Sequence, residues 1–117
     1  MKEILAGLCR VPGVNGAMAV SSDGLLIASQ TGLGGKDAEE AAAAVAGNLG
    51  KVVGPVLQKL GRGEMKHVVV SGAGGRVLLV GSGPGCLVAL LEPDANLGLV
   101  QLELGAAAVE AGREMRL

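Results

Sequence analysis

Two apolar runs, Val14 to Val20 and Leu25 to Ala28, flank Ser21-Ser22-Asp23-Gly24 and follow the turn dipeptide Pro12-Gly13. Strand-like runs joined by a polar turn ending in Asp-Gly predict a β-hairpin. Upstream, Ile4, Leu5, Leu8 and Cys9 share one side of a short amphipathic helix over Met1 to Arg10, which Pro12-Gly13 stops. Downstream, a loop from Thr31 to Lys36 carries Gly32, Gly34 and Gly35, and Asp37 is placed to cap the longest element. From Ala38 to Leu60, Val45, Leu49, Val52, Val53, Val56, Leu57 and Leu60 fit one face of a helix. That face is expected to lie on the chain's own sheet, with Pro55 kinking or interrupting the last turns.

A second line runs along the same helix. Ala43, Gly47, Gly50 and Gly54 lie at i, i+4, i+7 and i+11, away from the Val/Leu line. Each glycine costs a helix about 1 kcal/mol relative to alanine. A row of small residues lets another backbone approach closely, so the row is expected to face a partner chain; the alternative is compositional drift in a chain with 21 glycines.

The remainder reads as three strands and a helix. Lys66 to Ser71 is β-branched, Gly72 to Gly75 turns, Arg76 to Gly81 returns, and Cys86 to Leu91 follows the turn at Ser82 to Gly85. Pro93 ends the last strand. Asn96 or Asp94 caps a helix reaching about Met115, with Leu97, Val100, Leu104 and Ala108 on one side. The succession helix, two strands, helix, three strands, helix predicts an α+β domain with an antiparallel sheet, and 117 residues make one domain over the whole chain, 1–117.

Composition narrows the function more than the fold. Half the residues are hydrophobic and 18% are charged, enough for a core; the net charge is -1 with no basic stripe, and Phe, Tyr and Trp are absent. Nucleic acid is therefore not an expected partner, since neither a phosphate-tracking surface nor a stacking platform is present. Cys9 and Cys86 sit in apolar patterns and read as small buried hydrophobes of a reducing compartment. No signal peptide opens the chain, and the uncharged stretch between Arg76 and Glu92 is too short and glycine-broken to cross a bilayer. A cytoplasmic protein with no membrane insertion is expected.

The glycine-rich segments fail as phosphate cradles. A dinucleotide fingerprint needs glycine where Val77 or Cys86 stands, and a P-loop needs Ser or Thr where Asp37 stands. His67 is the sole histidine and has no ligand at metal spacing. Glu39 and Glu40 suit the start of the long helix, and Glu110, Arg113, Glu114 and Arg116 suit a solvated face near the end. Arg62 and Arg76 lie in or beside glycine-rich turns, within reach of a phosphate. Polar groups for a small-ligand pocket are few, chiefly Asn15, Ser29 and Gln30. No catalytic residue, cofactor or metal is expected, and an enzyme built on His67 or Cys86 ranks last among the readings.

The segments GVNGAMAVSSDGLLIAS, the Ala-rich long helix, HVVVSGAGGRVLLV and CLVALLEPDANLGLVQLELGAAA together resemble the Roadblock family over about Leu5 to Ala111. The segment after Pro93, where Asn96-Leu97-Gly98 opens a terminal helix, resembles the bacterial and archaeal branch that includes MglB-type regulators. The resemblance implies a profilin-like, five-stranded antiparallel sheet between helices in the order α-β-β-α-β-β-β-α. It also implies a homodimer built by the long helix and the strand after it. On this chain those positions are Ala43, Gly47, Gly50 and Gly54 with His67, Val68, Val69 and Val70; Lys51, Gln58 and Arg62 are candidates for touching a further partner. Three consecutive β-branched residues guarded only by Lys66 suit an edge strand that pairs with its own copy. The implied role is to bind and regulate a small Ras-like GTPase, as an activator or a scaffold, without a catalytic residue of its own. A small-ligand sensor or a scaffold subunit of a signalling assembly is the alternative.

Overall fold

The computed structural model describes residues 1–32 and 35–115. Its elements run α1 (Lys2–Cys9), β1 (Val14–Val20), β2 (Leu26–Gln30), α2 (Lys36–Lys59), β3 (His67–Gly72), β4 (Gly75–Ser82), β5 (Gly85–Leu91) and α3 (Leu97–Glu114). The five strands form one sheet in the order β2-β1-β5-β4-β3, and each neighbouring pair is antiparallel. This is the expected α+β class and element order. The three hairpins follow from their turns, and β1 joins them by pairing Ala17 with Ala89 and Val20 with Cys86.

Strand alternation divides the core in two, because successive side chains point to opposite faces of a sheet. Ala17, Ala19, Leu78, Leu87, Ala89 and Leu91 face α1 and α3, where Leu5, Leu8, Val100, Leu104 and Ala108 meet them. Met18, Val20, Leu79, Cys86 and Val88 face α2, where Ala43 and Ala46 meet them. The sheet is thus a middle layer with α1 and α3 on one side and α2 on the other. The one buried polar side chain among the described residues, Ser82, donates its hydroxyl to the Ala108 carbonyl at 2.5 Å and ties β4 to α3.

Two helix starts differ in mechanism. Asn96, one of the two expected caps, caps α3, its Oδ1 accepting from the Leu99 amide at 3.1 Å. Asp37 does not cap α2. The helix begins at Lys36, and its N-cap is Gly35, at φ 103°, with no side-chain cap bond. That backbone region is strained for a residue with a Cβ, so glycine sets the entry and Asp37 falls inside the first turn, where its charge suits the helix dipole. Pro55 interrupts nothing either, since α2 continues through it to Lys59. Part of the glycine loop, residues 33 and 34, and the expected solvated Arg116 lie outside the described residues. Among those described, no helix is long and apolar enough to cross a membrane.

Candidate partner interface

The orientation of α2 decides what this molecule presents to others, and it reverses the expected one. Ala43 is fully buried and Ala46 nearly so, whereas Val45 (60% exposed), Val52 (63%), Val56 and Leu60 face outward. Gly47 sits against the β1–β2 turn: a Cβ there would fall 2.6 Å from the Gly24 Cα. The first half of the small-residue row therefore serves the chain's own hairpin. The physical reason is volume. The sheet face beneath α2 already carries Met18, Val20, Leu79 and Val88, so a helix can approach it only through Ala and Gly.

Only part of that sheet face is covered. α2 lies over β2, β1 and β5. Beside it, toward β3, an apolar trough of about 270 Å³ opens between Val45, Ala46 and Leu49 of α2 and Val68, Val70, Val77, Leu79 and Leu90 of the sheet. No hydrogen-bonding or charged side chain lines it. Beyond the trough, β3 pairs only with β4, so its other edge is an open row of backbone donors and acceptors. Val68 and Val70 belong to the trough side, whereas Val69 packs toward α1 and α3.

The remaining sequence-derived positions distribute around this surface. Gly50 and Gly54 are half-buried, with nothing within 4 Å of a Cβ added at either. His67 is exposed at the start of β3, where its Nε2 lies 3.3 Å from the Gln101 amide nitrogen; the amide donates, so the ring nitrogen accepts. Lys51, Gln58 and Arg62 are exposed on α2 and just after it. Lys51 borders a smaller hollow of about 190 Å³ with Ser21, Ser22 and Cys86. Sequence reasoning missed Val45, Val52 and Val56 as surface residues, because periodicity reports that a stripe exists and not which stripe the sheet has room for.

Two of the polar candidates, Arg76 and Ser29, are occupied elsewhere. Arg76 is half-buried and donates Nη2 to the Ala95 carbonyl at 2.5 Å, so it is not a flexible arm reaching for phosphate. Ser29 and Thr31 donate hydroxyls to Glu39 and hold its carboxyl below the usual carboxylate range; the Thr31 bond is 2.6 Å. Asn15 and Gln30 are exposed and do not converge on the trough. Burial pushes the Cys86 thiol up to about 11, which keeps it protonated and weakly nucleophilic near neutrality. Cys9 is shifted the same way, and both cysteines are free.

The Roadblock/LC7 domain model matches residues 1–91. An uncharacterised protein of Methanocaldococcus jannaschii is 35% identical over 106 residues, covering 91% of this chain and 88% of the relative. The crystal structure of a Roadblock/LC7 domain from Streptomyces avermitilis superposes with a TM-score of 0.90 at 23% identity, covering 100% of this chain and 98% of that one. MglB of Myxococcus xanthus shares the fold as well, with a TM-score of 0.84 at 21% identity over 98% of this chain and 96% of that one. With a family match over most of its length and a relative above 30% identity across nine-tenths of it, the chain belongs to the Roadblock/LC7 domain family.

Proposed function

We propose that this protein is a homodimeric, non-catalytic interaction module of the cytoplasm that binds a small Ras-like GTPase and regulates its nucleotide cycle. The observation that carries the reading is the trough beside α2 together with the open β3 edge. Monomers rarely leave a contiguous apolar surface of that kind next to an unpaired strand. A second copy related by a two-fold axis supplies both missing pieces at once: its β3 pairs with β3, and its α2 lies across Val68, Val70 and Val77. The outward Val45, Val52 and Val56 then meet the partner helix and His67 to Val70 lie at the strand seam, while Gly50 and Gly54, on the Ala43/Gly47 side of α2, flank that contact. Ala43 and Gly47 support this contact from behind by seating α2 on its own hairpin.

The GTPase half of the reading rests on family membership and on the fold shared with MglB. Lys51, Gln58 and Arg62, exposed on α2 and just after it, are assigned to the GTPase contact. The test has two steps. Light scattering across a concentration series should give a dimer for the native chain and a monomer for Val52→Glu; a native monomer at micromolar concentration sinks the proposal. GTP hydrolysis by Ras-like GTPases encoded beside this gene should then change on adding the native chain and not Val52→Glu. No effect on any of them removes the GTPase assignment and leaves the dimer.

A second reading uses the same trough as a site for a small apolar ligand. Its volume suits one, but no polar side chain is present to orient the ligand. An apolar fluorophore that binds the native dimer without dissociating it would favour this sensor reading.

A further inference from the structure

The hairpin behind β3 fixes which of its backbone groups point away from the sheet. Gly72 pairs with Gly75 across the turn Ala73-Gly74. Two residues that close so short a turn pair by exchanging both N–H···O bonds with each other. From there the register runs without a bulge back to His67, paired with Val80. Bonded and non-bonded pairs alternate along an antiparallel ladder. The N–H and C=O groups of Val68, Val70 and Gly72 therefore bond to β4, and those of His67, Val69 and Ser71 form the open edge. Side chains alternate in the same phase. Val68 and Val70 line the trough, whereas Val69 packs toward α1 and α3 and His67 lies against Gln101 of α3. Ser71 follows His67 and Val69 to that face.

The dimer proposed above puts both α2 helices on one side of a joined sheet, so its two-fold axis stands perpendicular to the sheet at the seam. Facing residues of antiparallel strands point to the same side, so one residue of β3 must face its own copy. The registers that keep most of His67–Gly72 paired centre on Val68, Val69 or Val70. Centring on Val68 leaves Ser71 opposite Met65, before the strand, and sets Lys66 against Val70. Centring on Val70 leaves His67 opposite Ala73 in the turn and sets Val69 against Ser71. Centring on Val69 pairs every outward group, His67 with Ser71 and Val69 with its copy. It also sorts the side chains. Val68 meets Val70 on the trough side, and Lys66 meets Gly72, which has no side chain to crowd it. On the other side His67 meets Ser71; the Gln101 amide donates to His67 Nε2, so the neutral ring offers its Nδ1–H to the facing hydroxyl. We infer that, in the dimer proposed above, β3 docks on β3 in this one register, with Val69 on the axis and His67 opposite the partner's Ser71. The three valines read the same in both directions about Val69, which suits this edge to a second copy of the chain.

Hydrogen exchange on the full native chain reads the register without altering the seam. The amides of His67, Val69 and Ser71 should exchange at least about tenfold more slowly than in Val52→Glu, while those of Val68 and Val70 are protected by β4 in both. Protection of His67 and Val69 without Ser71 overturns the register in favour of the Val68 centre. Protection of Val69 and Ser71 without His67 overturns it in favour of the Val70 centre. Oxidative cross-linking gives an independent reading. Facing residues lie about 4.5–5.5 Å apart between Cα atoms, within disulfide reach, and diagonal ones about 7–8 Å, beyond it. Val69→Cys should therefore cross-link to its own copy. Val68→Cys and Val70→Cys should cross-link when mixed and not singly, against the background of the native chain with its free Cys9 and Cys86. A covalent dimer of Val68→Cys alone or of Val70→Cys alone overturns the register. A native chain that light scattering shows to be a monomer removes the dimer itself. A native dimer whose His67, Val69 and Ser71 amides exchange as fast as in Val52→Glu, with no cysteine pair forming, keeps the dimer and overturns the seam.

Discussion

The two long helices meet the same sheet with opposite side-chain sizes. α3 lowers Val100 and Leu104 onto a face where Ala17 and Ala19 of β1 and Ala89 of β5 lie among Leu78, Leu87 and Leu91 and leave room for them. α2 brings only Ala43, Ala46 and Gly47 to a face where the same strands present Met18, Val20 and Val88. On the α2 side large strand residues meet small helix residues, and on the α3 side the three alanines make room for large helix residues, which is how the layers reach native packing density without overlap. The consequences differ. α3 spends Val100 and Leu104 on the core and keeps an apolar seam outside, whereas α2 buries none of its large residues fully and leaves Val45, Val52 and Val56 exposed. Burial by the chain itself thus stabilises α3, while α2 has an apolar outer face that its own chain never covers.

That contrast can be broken most directly in the core beneath α3. Leu104→Ala removes a fully buried side chain and should lower stability by about 2–5 kcal/mol, read from denaturant unfolding. Val52→Ala should cost far less when unfolding is measured below the association range, because Val52 touches mainly solvent within its own chain. Equal costs would mean that α2 is seated differently from the arrangement described. Next in size is a comparison of glycines. Gly47→Val forces a side chain against the Gly24 backbone and should lose about 1–3 kcal/mol at every protein concentration. Gly54→Ala has open space and should gain about 0.5–1 kcal/mol in the monomer through helix propensity.

The helix starts give a smaller effect. Asn96→Ala loses the side-chain bond to Leu99 and should cost about 1 kcal/mol, whereas Asp37→Ala forfeits only a dipole interaction of a few tenths. The weakest test is titration. Cys86 is raised from 9.0 to about 11 by burial, so unfolded chains ionise first. Its contribution is complete below 9.0 and is lost as pH rises toward 11. Cys86→Ser should flatten that alkaline fall in melting temperature. Glu39 runs the other way: its lowered value contributes stability at neutral pH that fades in acid, and the effect is small at this solvent-exposed carboxylate.

Local signals were readable wherever the chain settles a matter within a few residues. The Asp23-Gly24 turn, the cap in the Asp94–Asn96 segment and the apolar run Val14–Val20 each specify geometry by their own hydrogen bonds and sterics. The start of α2 was misread because Asp37 is a good cap in isolation, and only the left-handed backbone at Gly35 shows where the helix begins. Arg76 illustrates a different loss. In sequence it adjoins a glycine turn, but folding brings Ala95 beside it and turns a free arginine into a clasp on the segment before α3.

Element order, strand alternation and the existence of two stripes on α2 were properties of the amino-acid order alone, because they depend on periodicities of 2 and 3.6 residues. Which stripe faces inward was not. That choice belongs to the sheet, whose α2 side is filled by Met18, Val20, Leu79 and Val88 from strands distant in the chain. Side-chain volume across a layer is a sum over residues that meet only after folding. No local pattern encodes it, and it is what turns Val45, Val52 and Val56 outward.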